Sequence, residues 1–281
     1  MSSRRRHDRW SALVPSLLAG VLVAGCGTNF ENNPPSTDLD VSGSELRLGG
    51  LLWDTWWIPT GAAEPTETFP LYADTHGTQT GSTTWRCQEC HGWDYAGSEG
   101  AYATGPHFTG VAGVIDRAAG RSNQELFDAI KSGTPPASGG SALSGSNHAF
   151  TDHLNDNQIA SLVRLLREGL VDTREVIAPD GRATGDARNG AALYAATTSS
   201  ATPHVGQCAL CHGNDGKALD LGDAGAPAFV GTRATSEPWQ TLHQIRWGVP
   251  GTAMPSAIEN DVTTLAAQGD LLAYAQTLPA Q

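Results

Sequence analysis

The sequence predicts an all-α protein built as two small helical domains in tandem. Three observations lead there. The chain has 281 residues, a length that suits about two domains. A five-residue pattern occurs twice, as Cys87-Gln88-Glu89-Cys90-His91 and Cys208-Ala209-Leu210-Cys211-His212, with the copies 121 residues apart. Around the copies lie stretches with helix-start signals and with apolar residues at spacings of three and four.

In chain order, Arg4, Arg5, Arg6 and Arg9 precede a short apolar run from Leu13 to Ala24. A basic start, a short apolar stretch and small residues at its end read as an export signal over residues 1–25. The run falls short of the ~20 apolar residues that a membrane span needs. Its ending, Val23-Ala24-Gly25-Cys26, resembles the lipobox of bacterial lipoproteins. That resemblance implies a lipid on Cys26 and a membrane-anchored protein on the exported side, periplasmic or cell-surface. An unpaired thiol would otherwise be a liability in an oxidising compartment. Residues 26–44, rich in Asn, Pro, Ser and Thr, read as a tether, reaching about 60 Å when extended.

Domain 1 spans 45–175. It opens with a helix from Ser44 to about Trp57, whose Trp53, Trp56 and Trp57 are expected to fill core or interdomain contacts. Gly49 lies 38 residues before Cys87, whereas Gly190 lies 18 before Cys208. Residues 58–80 are therefore an insertion, made irregular by Pro59, Pro65 and Pro70. Ser122 and Glu125 form a capping-box pair opening a helix to about Lys131. Ile159, Leu162, Val163 and Leu166 give one buried face to a last helix over 157–167. The link falls near 179–185, and domain 2 covers 185–281. Its helices are expected at 186–196, from Ser236 to Trp247, and at 262–277.

C-x-x-C-H is the attachment sequence of c-type haem. Two thiols bond the vinyl groups on one porphyrin edge, and the following histidine reaches the iron. Structural zinc wants its cysteine pairs roughly 15–20 residues apart, and a thioredoxin-like site wants one C-x-x-C beside a βαβ pattern. Neither fits. Two copies after an export signal imply two haem c groups, held by Cys87 and Cys90 with His91, and by Cys208 and Cys211 with His212.

After the motifs come Gly105-Pro106-His107-Phe108-Thr109-Gly110 and Ala226-Pro227-Ala228-Phe229-Val230-Gly231, with the prolines again 121 residues apart. These resemble the Gly-Pro-x-Leu-x-Gly segment of class I cytochromes c. The resemblance covers about 81–175 and 185–281 and implies two cytochrome c-like folds, each wrapped around one haem. It implies that the carbonyls of Pro106 and Pro227 accept a hydrogen bond from the proximal histidines. It also implies a close crossing of first and last helices at Gly190 and Tyr274. Met254, in Gly248-Val249-Pro250-Gly251-Thr252-Ala253-Met254-Pro255, resembles the distal ligand of that family. Domain 1 has no methionine, and its corresponding loop, 134–154, is about ten residues longer. The family's Met-x-x-Phe run would put Asn147 in the methionine's place. His148 beside it is the first choice for sixth ligand, His153 the second and His76 the third, with an open position as the alternative. His107 belongs to the proximal side. His204 and His243 read as surface or packing residues.

The chain carries a net charge of −12, and without residues 1–25 it has 13 basic against 28 acidic residues, or −15. Such a surface repels nucleic acid and either steers partners with basic docking faces or keeps the protein soluble. The family resemblance implies a single-electron carrier or the haem subunit of a respiratory redox complex. Dihaem peroxidases are the competing class. Thiosulfate dehydrogenases resemble a type with a cysteine distal ligand, for which no thiol remains here. A membrane-docking subunit is a third reading. Because a methionine ligand raises haem potential relative to histidine, haem 1 is expected to be the lower-potential group, passing electrons to haem 2.

Overall fold

The computed structural model describes residues 38–134, 148–195, 208–222, 226–259 and 262–280. The expected signal, tether and lipid site at Cys26 lie outside the described residues, as do Asn147 and His204. Among the described residues the fold is helical, with two isolated bridges, Gly97 to Ala112 and Ile177 to Ala183, in place of a sheet. No described helix is long and apolar enough to cross a membrane.

The first half contributes α1 (Leu46–Thr55), the single turn α2 (Trp57–Thr60), α3 (Cys87–His91), α4 (Ile115–Ala118), α5 (Asn123–Ser132) and α6 (Asp156–Arg164). The Ser122–Glu125 capping box opens α5 with both reciprocal bonds in place, and Gly133 at φ +66 closes it. A second capping box, Asn155 with Gln158, starts α6, which buries Ile159, Leu162 and Val163. Beyond Arg164 the helix widens into a π turn, Leu165–Gly169. The insertion is mostly irregular, with one 3-10 turn at Pro70–Asp74.

The second half repeats the plan with α7 (Ala187–Ala195), α8 (Cys208–His212), α9 (Val230–Ser236), α10 (Pro238–Trp247) and α11 (Leu265–Ala275). Ser236 does not start α10. It ends α9, where its hydroxyl donates to the Thr232 carbonyl, and Pro238 takes the first turn of α10, where a missing N–H costs nothing.

Each half is held by one close helix crossing. A Cβ on Gly49 of α1 would collide with the Ser161 carbonyl of α6. A Cβ on Gly190 of α7 would collide with the Asp270 carbonyl and the Tyr274 Cβ of α11. A helix-interior glycine costs about 1 kcal/mol relative to alanine, and the close backbone approach offsets that cost. Gly49→Val and Gly190→Val are therefore each expected to destabilise the protein by about 1–3 kcal/mol, the overpacking range, read from denaturant midpoints.

Gly50, next along α1, admits a different neighbour: its missing Cβ leaves room for the indole of Trp247 on α10. The two halves thus meet on α1. Trp53, Trp93, Tyr95, Leu165 and Trp247 form a buried cluster there. A directed polar chain runs through it. The Trp247 indole N–H donates to the Tyr95 hydroxyl (3.2 Å), which donates to Nδ1 of His243 (3.1 Å), whose Nε2–H donates to the Gly50 carbonyl (3.0 Å). His243 is thus a packing residue. Burial pushes its pKa down to about 4, against a smaller upward pull from Asp54. The unfolded chain protonates near pH 6.5 and the folded one only near 4, so stability is intact above pH 6.5 and falls as pH drops through that window. The loss attributable to His243 is on the order of 3 kcal/mol. Urea titrations between pH 7.5 and 4 check this, with the fall reduced in His243→Gln.

Candidate functional site

Helix α3 is clamped to α1 at both ends. Before it, the Arg86 guanidinium pairs with the buried Asp54 carboxylate, donates Nε to the Asp54 carbonyl (2.7 Å) and covers the Trp93 ring. After it, Gly92 turns at φ +78, and the Trp53 indole donates to its carbonyl (3.3 Å). The second half repeats this clamp: Tyr194, four residues after its crossing glycine as Trp53 is, donates to the carbonyl of Gly213 (2.9 Å), the residue after His212.

The two middle residues of the first motif point into protein. Gln88 accepts from the Tyr102 hydroxyl (2.9 Å), and Glu89 accepts from the Tyr72 hydroxyl (3.1 Å) and meets Nδ1 of His107 (3.0 Å). Both are fully buried. On its other side α3 presents Cys87, Cys90 and His91 to a mostly apolar cavity of about 590 Å³. That volume suits a cofactor. Leu126 and Ile130 of α5, Leu162 of α6, and Phe69 and Tyr72 of the insertion wall it, with Arg117 and Arg121 at its edge.

His148 faces His91 across this space. The ring centroids are 6.3 Å apart and the rings nearly perpendicular, at 82°. Nδ1 of His91 donates to the Ala112 carbonyl and Nδ1 of His148 to the Ala129 carbonyl, each at 3.1 Å. A carbonyl only accepts, so each ring carries its proton on Nδ1 and keeps the Nε2 lone pair for a ligand. Burial lowers both pKa values, that of His91 to about 4 with a further push from His148, so both rings are neutral near pH 7. Two metal–imidazole bonds of about 2 Å plus the ring radii span about 6 Å, the separation found. Among the described residues no group of three or more His, Cys, Asp or Glu side chains surrounds a metal position. The pair therefore suits a metal that brings its own in-plane ligands, and the cavity has room for them.

Cys87, Cys90 and Cys208 are not set up as reactive thiolates. Cys87, Cys90, Cys208 and Cys211 form no disulfide. Burial pushes Cys87 and Cys90 up to about 12 and Cys208 up to about 11, opposite to the shift of a reactive thiolate.

The other candidate histidines lie elsewhere. His153 packs its ring on Trp85 and Trp56, His76 is exposed and stacks on Phe108, and His107 is engaged with Glu89. The prolines do not take the expected role. Ala112 accepts from His91, while Pro106 sits at the surface behind the Gly105 turn, its carbonyl taking the Gln79 amide (3.4 Å). In the second half Nδ1 of His212 is buried without a hydrogen-bond partner among the described residues. Pro227 is exposed, because Asp220 and Ala228 close the preceding turn on itself. Cys208 packs against the buried cluster of Tyr194, Ala257, Val262 and Leu271, whereas Leu210 is 72% exposed and Cys211 is also exposed. Met254 is half-buried in the loop after α10, which turns at Gly248 and Gly251.

The carbonyls of Ala112 and Ala129 carry no sequence signal. The insertion, whose sequence allows it either to cover a cofactor edge or to dock a partner, walls the cavity with Phe69, Leu71 and Tyr72. Comparison of the chain with protein-family models, curated proteins and solved structures finds no match.

Proposed function

We propose that this chain is an exported, lipid-anchored dihaem cytochrome c, with one class I cytochrome c-like fold per half, that carries single electrons between redox partners. The observation that carries this reading is the His91–His148 pair, set at iron-bridging separation across an apolar cavity with two thiols beside one of its members. A bound haem supplies the one-electron chemistry. The residues hold and tune it. Cys87 and Cys90 would anchor it covalently, and His91 and His148 would hold its iron through their Nε2 atoms. The Ala112 and Ala129 carbonyls fix the ring tautomers, and the apolar walls exclude water. In the second half Cys208, Cys211 and His212 hold the matching group, with Met254 as its distal ligand. The repeated clamp on the glycine after each motif supports treating the halves alike.

The facing histidine favours a carrier over a dihaem peroxidase, whose catalytic haem needs an accessible coordination position. The exposed edge of the second motif, at Leu210 and Cys211, supports haem 2 as the group that meets partners.

The test is the mass and haem content of the mature protein after expression with a cytochrome c maturation system. Two covalent haems per chain are expected, falling to one in Cys87→Ala/Cys90→Ala. A colourless protein, or a mass equal to polypeptide plus lipid, would refute the reading.

A further inference from the structure

The loop that carries Met254 belongs to the second half, but the first half grips it. Arg47, on the first turn of α1, donates Nε to the Trp247 carbonyl (3.2 Å) and Nη2 to the Met254 carbonyl (3.4 Å). Its Nε also pairs with the Glu259 carboxylate at 3.4 Å, on the far side of the loop. One guanidinium thus ties the last residue of α10, the methionine itself and the 3-10 turn Ala257–Glu259 that follows. Ile58, beyond α1, lies against Gly251, where an added Cβ would stand 2.8 Å from its Cγ2. Within the loop, Thr252 accepts from the Met254 N–H (3.2 Å), and Ser256 donates to the Arg246 carbonyl (2.7 Å).

We infer that Arg47 is the positioning residue for Met254, so that the first half sets the distal ligation of the second haem. This rests on the reading of Met254 as that haem's ligand. A thioether is a weak neutral donor that stays on a metal only where its loop is held. Arg47 grips that loop at three points, with two charge-assisted bonds to backbone carbonyls that do not depend on loop side chains. The fork geometry of arginine is what lets one side chain reach all three, and a lysine, with a single point charge, cannot.

The experiment uses the purified ferric holoprotein and follows the long-wavelength charge-transfer band of methionine-ligated haem as pH is raised until the ligand is lost. In Arg47→Gln the thioether is expected to be held about tenfold more weakly, the worth of a charge-assisted bond, moving the midpoint of band loss down by about one pH unit. Arg47→Lys is expected to fall between the two, and Glu259→Gln, which leaves both carbonyl bonds, close to the wild type. The haem 1 spectrum stays unchanged in all three. A wild-type midpoint in Arg47→Gln overturns the inference. Should that variant fail to fold, Arg47→Lys decides it: an intermediate midpoint supports the role of the fork, and an unshifted one overturns it. A wild-type protein that lacks the band refutes Met254 as a ligand, which is a different failure, and removes the basis of this inference with it.

Discussion

His148→Ala is expected to convert haem 1 from a six-coordinate, low-spin site to a five-coordinate, high-spin one while haem 2 keeps its spectrum. His148 holds its place through one bond, from Nδ1 to the Ala129 carbonyl, and through burial among Phe150 and the cavity wall. Removing the ring would leave a void facing His91 and, among the described residues, no other imidazole to fill it. His153 is held against the Trp56 and Trp85 rings, and His76 is exposed and stacks on Phe108. Roughly half of the low-spin electron paramagnetic resonance signal should vanish, one haem of two, and added imidazole should restore it by filling the vacated volume. An unchanged spectrum would move the ligand to another residue and remove the observation on which the proposed function stands.

Two separated reduction waves are expected, with haem 1 below haem 2 by on the order of 100 mV or more, inside the ~0.8 V range that axial ligands command. The ligand pairs set the sign. With the ligands as proposed, two nitrogen donors would stabilise the ferric state at haem 1, whereas the thioether of Met254 would favour the ferrous state at haem 2. The surroundings of His91 act in the same direction: its Nδ1–H bond to Ala112 makes the imidazole a stronger donor. Nδ1 of His212 is buried with no such bond among the described residues. Met254→His should bring the upper wave down toward the lower, and His148→Met should raise the lower. A titration in which both haems share one potential, or in which the wave lost with Cys87→Ala/Cys90→Ala is the upper one, would contradict this ordering.

What the sequence made legible was local. The Ser122–Glu125 capping box, the C-x-x-C-H turns and the crossing at Gly190 depend on residues a few positions apart or on backbone approach that only glycine permits, and each is found in place. His148 was legible as a neighbour of the position where the family's methionine would fall. What stayed hidden depends on the path of the chain between elements. The loop from Gly97 to Val111 carries Pro106 outward and brings Ala112 back against Gly97, so the His91 bond goes to a residue with no sequence signature. The meeting of Gly50 with Trp247 joins positions almost two hundred residues apart, and nothing in either local sequence announces it. The same holds for Arg47, one of several arginines until its three partners are seen.

The contrast between the two C-x-x-C-H turns bears on how the protein is made. Gln88 and Glu89 sit under Tyr72, Tyr102 and His107, so the middle of the first turn is covered by protein, while its half-buried thiols line the cavity on the other side. Leu210 and Cys211 remain at the surface throughout. If both turns take a haem as proposed, a maturation factor that reads the middle of the turn would find the first copy covered and the second open in the folded chain, which would put the stricter deadline on the N-terminal attachment.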